Sequence, residues 1–347
     1  MKLQPLSAKL GEVKYRSKII NQQLGNENIF PNELKFREFT KLIQKRLLES
    51  RVDFDKLYKS AHSLSPYLEI GAENALRSAF LENKYKARGF AIDISLYSLA
   101  KAREFAKNFK FQKVPKTICA DTNNLPFKSN SFPFIFVYET LHHFPDPKPI
   151  LSEIERVLAP QGICLIGAEP IKPKLQITLW RRPNILRPWE KFLKVLLVLP
   201  FISTIGKTET DYGILEESFS LSVWQNALST FDKVEAQIFG YPFGPSQTLT
   251  KSQSRQWLNP NIIVKTALLI GGGLKALCTK NGEQVKPHQN LDLLLICPDC
   301  LKNQKKEYSL IKSARTYRCT SCKKDYYKKE RVLVLLEKNL EKKILQI

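Results

Sequence analysis

The chain has 347 residues, 43% of them apolar, and a formal net charge of +22. This length holds one large domain with a small one, or two of ordinary size, and the apolar content supports a sizeable core. We expect neither a signal peptide nor a membrane-spanning helix, because residues 1–10 lack an apolar stretch and Pro200 and Lys265 interrupt the longest apolar runs. The charge favours anionic partners such as nucleic acid, acidic lipid headgroups or phosphorylated substrates. Its spread along the whole chain fits solvated lysine on ordinary surfaces as well.

Residues 1–64 are predicted to form an N-terminal helical extension. Within it, residues 1–31 are weakly patterned and are expected to be a loose lead-in. Asn32 is a candidate cap for a helix that runs to about Ser50, and a shorter helix is expected over Asp53–Ser63. We expect these helices to pack on the edge of the next domain and to form part of a lid.

Strand and helix patterns alternate over residues 65–280. The alternation predicts an α/β fold with a Rossmann-like, doubly wound and mostly parallel seven-stranded sheet. The predicted strands are Tyr67–Ile70, Gly89–Ile92, Lys116–Ala120, Phe134–Tyr138, Ile163–Gly167, Lys233–Phe239 and Leu274–Thr279. The predicted helices include Tyr97–Phe109, Pro147–Leu158 and Leu221–Ser229.

An insertion at about residues 170–220 interrupts this alternation after the fifth strand. It is rich in proline and carries Arg181, Arg182 and Arg187 near tryptophan. Insertions at this place lie above the ligand-binding edge of the sheet and often shape substrate pockets. The segment Lys191–Lys207 holds an apolar run between lysines, which fits a helix lying at a membrane interface and equally a buried helix.

Acidic and glycine residues occupy the ends of the first three predicted strands. Glu69 and Gly71 lie at the end of the first, Asp93 closes the second, and Asp121 follows the third. Ligands of parallel α/β sheets bind at the carboxyl ends of strands. Asp93 is therefore placed to accept hydrogen bonds from both ribose hydroxyls of a nucleoside, unless it only caps the helix that starts near Ser95.

The segment ADTNNLPFKSNSFPFIFVYETLHHFPDPKPILSEIERVLAPQGICLIGAEP completes an ordered set of motifs. With it, the chain resembles the class I methyltransferases that use S-adenosylmethionine, in particular those with a methyltransferase type 11-like domain. The resemblance is close over Tyr67–Glu169 and weaker as far as Thr279. It implies S-adenosyl-L-methionine as cofactor, with contacts from Glu69, Gly71, Ala72, Asp93, Ile94, Asp121, Thr122 and Tyr138.

The resemblance also implies individual roles. Glu69 would help to hold the methionine amino group, and Tyr138 would face the methionine moiety. Asp93 would bind the ribose, and Asp121 would accept a hydrogen bond from the adenine amino group, with the backbone of Thr122 beside it.

Two positions depart from the family pattern, which usually has glycine two and four residues after the first glycine. Here these positions are Glu73 and Ala75. Alanine needs little room, whereas the larger and charged glutamate can point to solvent, pair with the ligand's ammonium group or block binding. The sequence leaves open a working cofactor site and a degenerate, non-catalytic one.

Candidates for a catalytic base follow the fourth predicted strand: His142, His143 and Glu139. A base is needed only where the acceptor loses a proton, since the enzyme otherwise supplies alignment for an in-line displacement. His143 is the favoured base and His142 the second candidate. Both histidines can instead shape the loop and pack against Phe144.

Four cysteines form two closely spaced pairs near the C-terminus, Cys297 with Cys300 and Cys319 with Cys322. Such pairs predict a closed tetrahedral site for a structural Zn²⁺ ion, with disulfide bonds as the alternative. The cysteine usage fits a reducing, cytoplasmic compartment. The other three cysteines are expected to be small core residues: Cys119, Cys164 and Cys278.

Residues 290–340, which hold the paired cysteines, resemble the zinc ribbon that acts as an activating subunit of tRNA and translation-factor methyltransferases. The resemblance implies that this domain docks on the catalytic domain through the apolar strand Val332–Leu336. The run KKDYYKKER mixes lysines with Tyr326 and Tyr327, which suits phosphate binding and base stacking or, alternatively, a solvated hairpin edge.

These features predict an enzyme that transfers a methyl group from S-adenosylmethionine to a small molecule, a lipid or a glycan precursor. The charge and the ribbon support RNA, either tRNA or rRNA, as an alternative acceptor. Glu73 supports a third interpretation, a non-catalytic scaffold with a degenerate cofactor site. We expect a cytoplasmic protein, in peripheral contact with the membrane if the insertion lies at its surface.

Overall fold

The computed structural model describes residues 3–24, 36–61, 63–174, 179–181, 187–196, 198–199, 203–205, 207–240, 244–269, 271–284, 286 and 288–346. The strands in these ranges are β1 (Tyr67–Ile70), β2 (Gly89–Asp93), β3 (Lys116–Ala120), β4 (Phe132–Tyr138), β5 (Leu158–Ile171), β6 (Leu179–Arg181), β7 (Ser203–Ile205), β8 (Lys233–Gly240), β9 (Gly244–Thr250), β10 (Gly272–Thr279), β11 (Leu310–Lys312), β12 (Thr316–Cys319), β13 (Asp325–Lys329) and β14 (Val332–Leu335).

The α-helices in the same ranges are α1 (Leu6–Gln23), α2 (Phe36–Ala61), α3 (Leu76–Lys84), α4 (Leu96–Ala100), α5 (Ala102–Asn108), α6 (Pro147–Val157), α7 (Pro188–Val195), α8 (Lys207–Asp211), α9 (Leu221–Leu228), α10 (Ser254–Leu258), α11 (Ile262–Ala267), α12 (Pro298–Gln304) and α13 (Lys338–Ile344). Short 3-10 helices cover Thr122–Asn124, Leu141–His143 and Leu291–Leu294. No helix among the described residues has both the length and the apolar character needed to cross a bilayer.

Twelve strands form one mixed sheet in the order β11-β12-β13-β14-β3-β2-β1-β4-β5-β10-β8-β9. Strands β1 to β5 run parallel, and β10 is antiparallel to both β5 and β8. The fold is the predicted Rossmann-like α/β fold, but the prediction of seven strands is wrong. β9 extends one edge and four C-terminal strands extend the other, because the edge of a sheet offers unpaired backbone groups to a further strand.

The C-terminal strands join the sheet through β14. All four residues of β14 are apolar and buried, and Leu333–Leu335 pair in parallel with Ile118–Ala120 of β3. β13, β12 and β11 continue outward from β14 in antiparallel pairs. The division of the chain into residues 1–64, 65–280 and 290–340 stays a prediction.

Helix α1 occupies the segment that was expected to be a loose lead-in, and that expectation is wrong. The helical pattern is hard to recognise because Lys9 and Glu12 are buried and Arg16 is partly buried, each in contact with charged side chains. α2 is a single helix in place of the two shorter ones predicted, since no proline or glycine interrupts the chain between Phe36 and Ala61. The candidate cap Asn32 lies outside the described residues.

Side chains of the sheet alternate between two helical layers, as the pleat of a strand requires. In β4, Phe136 and Tyr138 pack with Phe54 of α2 in one hydrophobic cluster. Ile135 and Val137 belong to the larger cluster on the opposite face, which includes α6 and α9. The two layers hold the parallel strands in register and so fix the edge at which their carboxyl ends meet.

Candidate active site

The carboxyl ends of β1, β2 and β3 lie side by side. Ile70 pairs with Ile92, and Ile92 pairs with Ile118, so that all three strands end at the same edge of the sheet. The residues that follow, Gly71 and Asp121, therefore lie beside Asp93, the last residue of β2. This edge is where ligands bind in open α/β sheets.

The turn after β1 has the backbone of a glycine-rich loop. Gly71 has a φ of 66°, and a Cβ atom at this position would overlap the Thr140 side chain. Glu73 and Ala75 also adopt left-handed backbone, with φ of 50° and 56°. The two departures from the family pattern thus keep the conformation that glycine adopts more readily. Ala72 is buried, and its N–H donates to the Ile92 carbonyl (2.9 Å).

Asp93 organises the turns on both sides of it. Its Oδ2 accepts from the Glu73 N–H (2.8 Å) and its Oδ1 accepts from the Ser95 N–H (2.8 Å). Burial raises its pKa to about 6, although Arg16 and these two N–H groups act in the opposite direction. The cap of α4 is the Ser95 hydroxyl, which accepts from the Ser98 N–H, so capping does not account for Asp93.

Asp121 begins the loop after β3. Its Oδ1 accepts from the backbone and side-chain amides of Asn123 (3.0 and 2.8 Å), while its Oδ2 binds the Lys9 ammonium (2.5 Å). Thr122 starts the adjoining 3-10 helix. Ile94, beside the same loop, is partly buried, and its carbonyl accepts from the Cys119 thiol (3.3 Å).

Helix α1 places charged groups over this acidic edge. Lys9 binds Asp121, and Arg16 binds both Glu12 (2.6 Å) and Glu73 (3.3 Å). The ion pair with Arg16 directs the Glu73 carboxylate to α1. Because buried charges need partners, these pairs hold α1 on the sheet edge.

Two buried acceptor atoms near this edge, Glu12 Oε2 and Asn123 Oδ1, have no hydrogen-bond partner among the described residues. A buried acceptor without a donor is costly, which is typical of a site that a donor-bearing ligand completes. S-adenosylmethionine carries an ammonium group and an adenine amino group, and both are donors. The acidic edge, the left-handed turn and the unpaired acceptors together fit this cofactor.

Glu69 and Tyr138 have protein partners on the α2 and α3 side of the sheet. Glu69 is buried and accepts from the backbone N–H (3.1 Å) and hydroxyl (2.5 Å) of Ser78, and burial raises its pKa to about 7. Tyr138 donates to Asp53 Oδ2 (2.8 Å), and the Arg77 guanidinium lies 4.6 Å from its ring centre. Both residues therefore shape the wall behind the edge.

His142 is held by Glu169, which lies near the end of β5, the strand that pairs with β4. Glu169 is completely buried, and its Oε2 lies 3.0 Å from His142 Nδ1. The same carboxylate accepts from the N–H groups of Thr140 (2.8 Å), Leu141 (3.0 Å) and His142 (3.2 Å). Nδ1 therefore carries a proton and Nε2 is left as the acceptor. Burial lowers the pKa of His142, but the bond to Glu169 and the charges of Glu169, Glu216 and Glu139 together raise it overall.

His143 is in a different environment. Its Nδ1 donates to the Leu215 carbonyl (3.0 Å) and lies 3.3 Å from Glu216 Oε1. Burial, followed by the charge of His142, lowers its pKa to about 4. Burial also raises the pKa of Glu216 to about 7. The third candidate base, Glu139, pairs with Arg46 and Arg77.

Sequence reasoning missed five charged residues of this site: Lys9, Glu12, Arg16, Glu169 and Glu216. Glu169 had a signal in the sequence, because it lies two residues beyond the predicted fifth strand, near the strand end as Asp93 is in the second. The α1 residues had none, since their pattern is not amphipathic. Glu216 lies in the insertion, whose return to the histidines depends on tertiary structure.

The four C-terminal cysteines lie together. Cys297 Sγ is 3.6 Å from Cys322 Sγ, and Cys300 Sγ is 3.8 Å from Cys319 Sγ. Zn–S bonds of about 2.3 Å in a tetrahedron place neighbouring sulfurs about 3.8 Å apart, whereas a disulfide needs about 2 Å. The spacing fits a tetrahedral metal site and does not fit disulfide bonds.

The cysteine cluster contacts the loop after β3. The Asn124 side-chain amide donates to the Pro298 carbonyl (2.8 Å), next to Cys297. Close by, the Ile296 N–H donates to the Pro126 carbonyl (3.0 Å). The loop that begins with Asp121 is thus supported by the cysteine-rich segment.

Residues 68–166 match the family model described as a methyltransferase domain. The match runs from the second residue of β1 into β5, and it includes Gly71, Asp93 and Asp121 of the sheet edge. Residues 68–166 thus have the α/β fold of a methyltransferase domain, as the sequence resemblance predicted.

Curated relatives share the same part of the chain. The ubiquinone/menaquinone biosynthesis C-methyltransferase UbiE of Rickettsia typhi is 30% identical over 164 residues, which are 45% of this chain and 62% of that protein. The mitochondrial arginine-hydroxylase NDUFAF5 of Danio rerio is 28% identical over 121 residues, 34% of this chain and 36% of that protein. The solved structure of geranyl diphosphate C-methyltransferase from Streptomyces coelicolor A3(2) is 10% identical, with a TM-score of 0.44, over 76% of this chain and 98% of that one. The chain thus spans less than two thirds of the length of either curated relative.

Proposed function

We propose that the protein transfers a methyl group from S-adenosylmethionine to a small molecule, a lipid or a glycan precursor. The observation that carries this proposal is the meeting of Gly71, Asp93 and Asp121 at one sheet edge. This edge lies within the segment that matches a methyltransferase domain.

The residues of the edge suit the separate parts of the cofactor. Asp93 binds the ribose hydroxyls, and Asp121 with Asn123 Oδ1 accepts from the adenine amino group. Glu12 Oε2 accepts from the ammonium group of the methionine moiety. When bound, S-adenosylmethionine supplies an electrophilic methyl group on a sulfonium. Ala72, Ile94 and Thr122 contribute the backbone around it.

His142 takes the proton that the acceptor loses. Its Nε2 is the acceptor because Glu169 keeps the proton on Nδ1, and Glu216 Oε2 lies 3.9 Å from this Nε2. Once Nε2 is protonated, the buried Glu169 carboxylate stabilises the resulting imidazolium, as a neighbouring carboxylate does for a general base. The bond from His143 Nδ1 to the Leu215 carbonyl makes His143 a residue that shapes the pocket wall.

The four cysteines hold a structural Zn²⁺ ion in this proposal. The spacing of their sulfur atoms and the closed set of four thiolates support zinc. The ion would crosslink Cys297 and Cys300 to Cys319 and Cys322 within the small C-terminal domain. No open ligand position remains among the four thiolates for chemistry.

RNA is the alternative acceptor, supported by the net charge of +22. Binding through phosphates would weaken steeply as salt rises, because bound phosphates release counterions. Transfer to an uncharged small molecule would change little over the same range of salt.

The test is an acceptor screen with S-adenosylmethionine that carries an isotopic label in its methyl group. The zinc-loaded protein is incubated with the lipid, small-molecule and RNA fractions of cells in parallel, beside an Asp93→Ala variant. We expect label in the lipid or small-molecule fraction, dependent on Asp93. Label confined to RNA would show that RNA is the acceptor and would contradict a small-molecule or lipid acceptor. No label in any fraction despite cofactor binding would favour the non-catalytic scaffold.

A further inference from the structure

Helix α7 of the insertion presents an apolar face to solvent. Val195 is 80% exposed, Phe192 64%, Leu196 52% and Trp189 38%. Residues three and four positions apart share one face of a helix, so these four side chains form a continuous stripe, here called the α7 stripe. Contiguous exposed apolar side chains of this size mark an interaction surface.

The sequence left open whether this segment is a buried helix or lies at an interface. Of the described residues from 187 to 196, only Glu190 is buried. The α7 stripe is therefore not part of the core, and α7 is not a buried helix.

The other exposed side chains of α7 and its cap are basic. Arg187, Lys191 and Lys194 are exposed. Lys194 lies on the side of the helix opposite the α7 stripe, and Lys191 borders the stripe, one turn before Val195. The one acid, Glu190, is turned inward and pairs with Arg187 (2.9 Å). A helix with tryptophan and phenylalanine on one face and exposed basic residues around the rest is typical of helices that lie in the headgroup region of anionic membranes.

The segment that carries α7 begins and ends beside the candidate active site. It leaves the sheet at the end of β5, two residues after Glu169. It returns at residues 215–217, where the Leu215 carbonyl accepts from His143 and the Glu217 N–H donates to the His142 carbonyl (2.9 Å). A surface that holds α7 is therefore joined to the site through one continuous segment.

We propose that the α7 stripe inserts into the headgroup region of a membrane that contains anionic lipids. Arg187, Lys191 and Lys194 contact the lipid phosphates, and the apolar side chains reach the upper acyl chains. This surface does not depend on the proposed methyl transfer, and its test measures membrane binding alone.

The test is co-sedimentation of the full-length, zinc-loaded protein with vesicles. One set contains phosphatidylcholine alone, and the other contains phosphatidylcholine with phosphatidylglycerol as the anionic lipid. We expect binding to the anionic vesicles, weaker binding to the neutral ones, and partial release by added salt, because lysines near a charged surface are screened by ions.

Variants of exposed apolar residues test whether the α7 stripe is the surface that binds the vesicles. Phe192→Ser with Val195→Ser is expected to lower binding to anionic vesicles at least about tenfold, since two apolar anchors are lost. The matched control is Val52→Ser with Leu258→Ser, both 69% exposed on other helices, which should bind as the unchanged protein does.

The charge contribution is tested separately. Lys191→Glu with Lys194→Glu should abolish binding to anionic vesicles. Lys328→Glu with Lys329→Glu makes the same change of charge on β13 and should leave binding intact.

Three results would overturn the proposal. The first is failure of the unchanged protein to sediment with anionic vesicles. The second is equal binding by the α7 stripe variant, or loss of binding only in the β13 variant, which would assign the contact to the C-terminal strands. The third is a dimer that dissociates in the α7 stripe variant without any vesicle binding, which would make a second copy the occupant.

Discussion

Glu169 links the loop after β4 to the protonation of His142. Its carboxylate accepts three backbone N–H groups and the His142 ring, which provides the partners that a completely buried charge requires. One side chain therefore fixes both the position of the loop and the tautomer of the candidate base. Lys9 and Glu12 are the corresponding single residues at the sheet edge. Lys9 pairs with the Asp121 carboxylate, and Glu12 leaves its Oε2 without a hydrogen-bond donor among the described residues.

The pH dependence of activity is expected to follow His142. Its Nε2 accepts a proton only when the ring is neutral, so kcat/KM should fall as the pH drops through its raised pKa. Glu169→Gln removes the carboxylate that raises this pKa, so the acidic limb should move to lower pH while kcat falls roughly 10²-fold.

Histidine variants separate the two candidates. His142→Ala should remove the fall of kcat/KM at low pH, the acidic limb, together with most of the activity. His143→Ala should keep the limb, because burial already lowers the pKa of His143 to about 4. A limb that survives in His142→Ala and vanishes in His143→Ala would restore His143 as the base.

Lys9→Met is expected to have opposite effects on the free and the liganded protein. Without its ammonium partner, the buried Asp121 carboxylate destabilises the free protein by about 1–3 kcal/mol. Cofactor binding should tighten roughly tenfold, because one charge-assisted bond no longer competes with the adenine amino group. Denaturant unfolding and calorimetric titration measure the two effects. Weaker cofactor binding in Lys9→Met would show that Lys9 helps to bind the cofactor.

At the scale of elements, the turn between β1 and α3 keeps its conformation through non-glycine residues. Glu73 and Ala75 adopt left-handed backbone, at a cost of roughly 1 kcal/mol each. The Asp93 carboxylate offsets part of this cost by accepting the Glu73 N–H. A departure from the glycine pattern in the sequence is thus compatible with the same turn.

Gly71→Ala is expected to damage this turn. Its φ of 66° is unfavourable for alanine, and the added Cβ would overlap Thr140. The free energy of unfolding should fall by about 2–4 kcal/mol, and cofactor binding should be lost. Gly273→Ala is the control, because its Cβ would meet only the Glu169 carbonyl at an ordinary 3.6 Å. Equal stability of the two variants would contradict the strain assigned to Gly71.

The elements of the sheet edge were predictable and α1 was not. Asp93 and Asp121 could be located because parallel strands are short apolar runs whose ends are visible in the sequence. The role of α1 depends on buried ion pairs between Lys9 or Arg16 and acids far along the chain, and such pairs leave no periodic pattern. The sequence indicated the apolar strand Val332–Leu336 but not its place in the sheet, because pairing of β14 with β3 joins segments that are distant in sequence.

At the scale of the whole molecule, one sheet and one hydrophobic cluster join the cysteine-rich segment to the matched domain. Cys297, Cys300 and Tyr317 belong to the same cluster as Leu68 and Ile135 of the central strands. The Asn124 bond to the Pro298 carbonyl adds a polar link to the cofactor edge. We therefore expect loss of the proposed metal to destabilise the whole structure.

Removal of the proposed zinc ion is expected to lower the melting temperature of the whole protein in a single transition. A small core of this kind depends on its metal for folding, and β14 carries the effect into the sheet. Cys319→Ser should behave like the chelated protein and bind the cofactor more weakly, whereas Ser321→Ala, between the same cysteines, should behave as the unchanged protein. A separate early transition with cofactor binding intact would show that the two parts are uncoupled.

The central claim is that the edge formed by Gly71, Asp93 and Asp121 binds S-adenosylmethionine. Calorimetric titration of the zinc-loaded protein with S-adenosylmethionine, and with S-adenosylhomocysteine, tests it most directly. We expect binding that Asp93→Ala abolishes. Asp325→Ala, which changes a partly exposed acid on β13, should leave binding unchanged. No binding by the folded, zinc-loaded protein, or equal binding by Asp93→Ala, would contradict the claim.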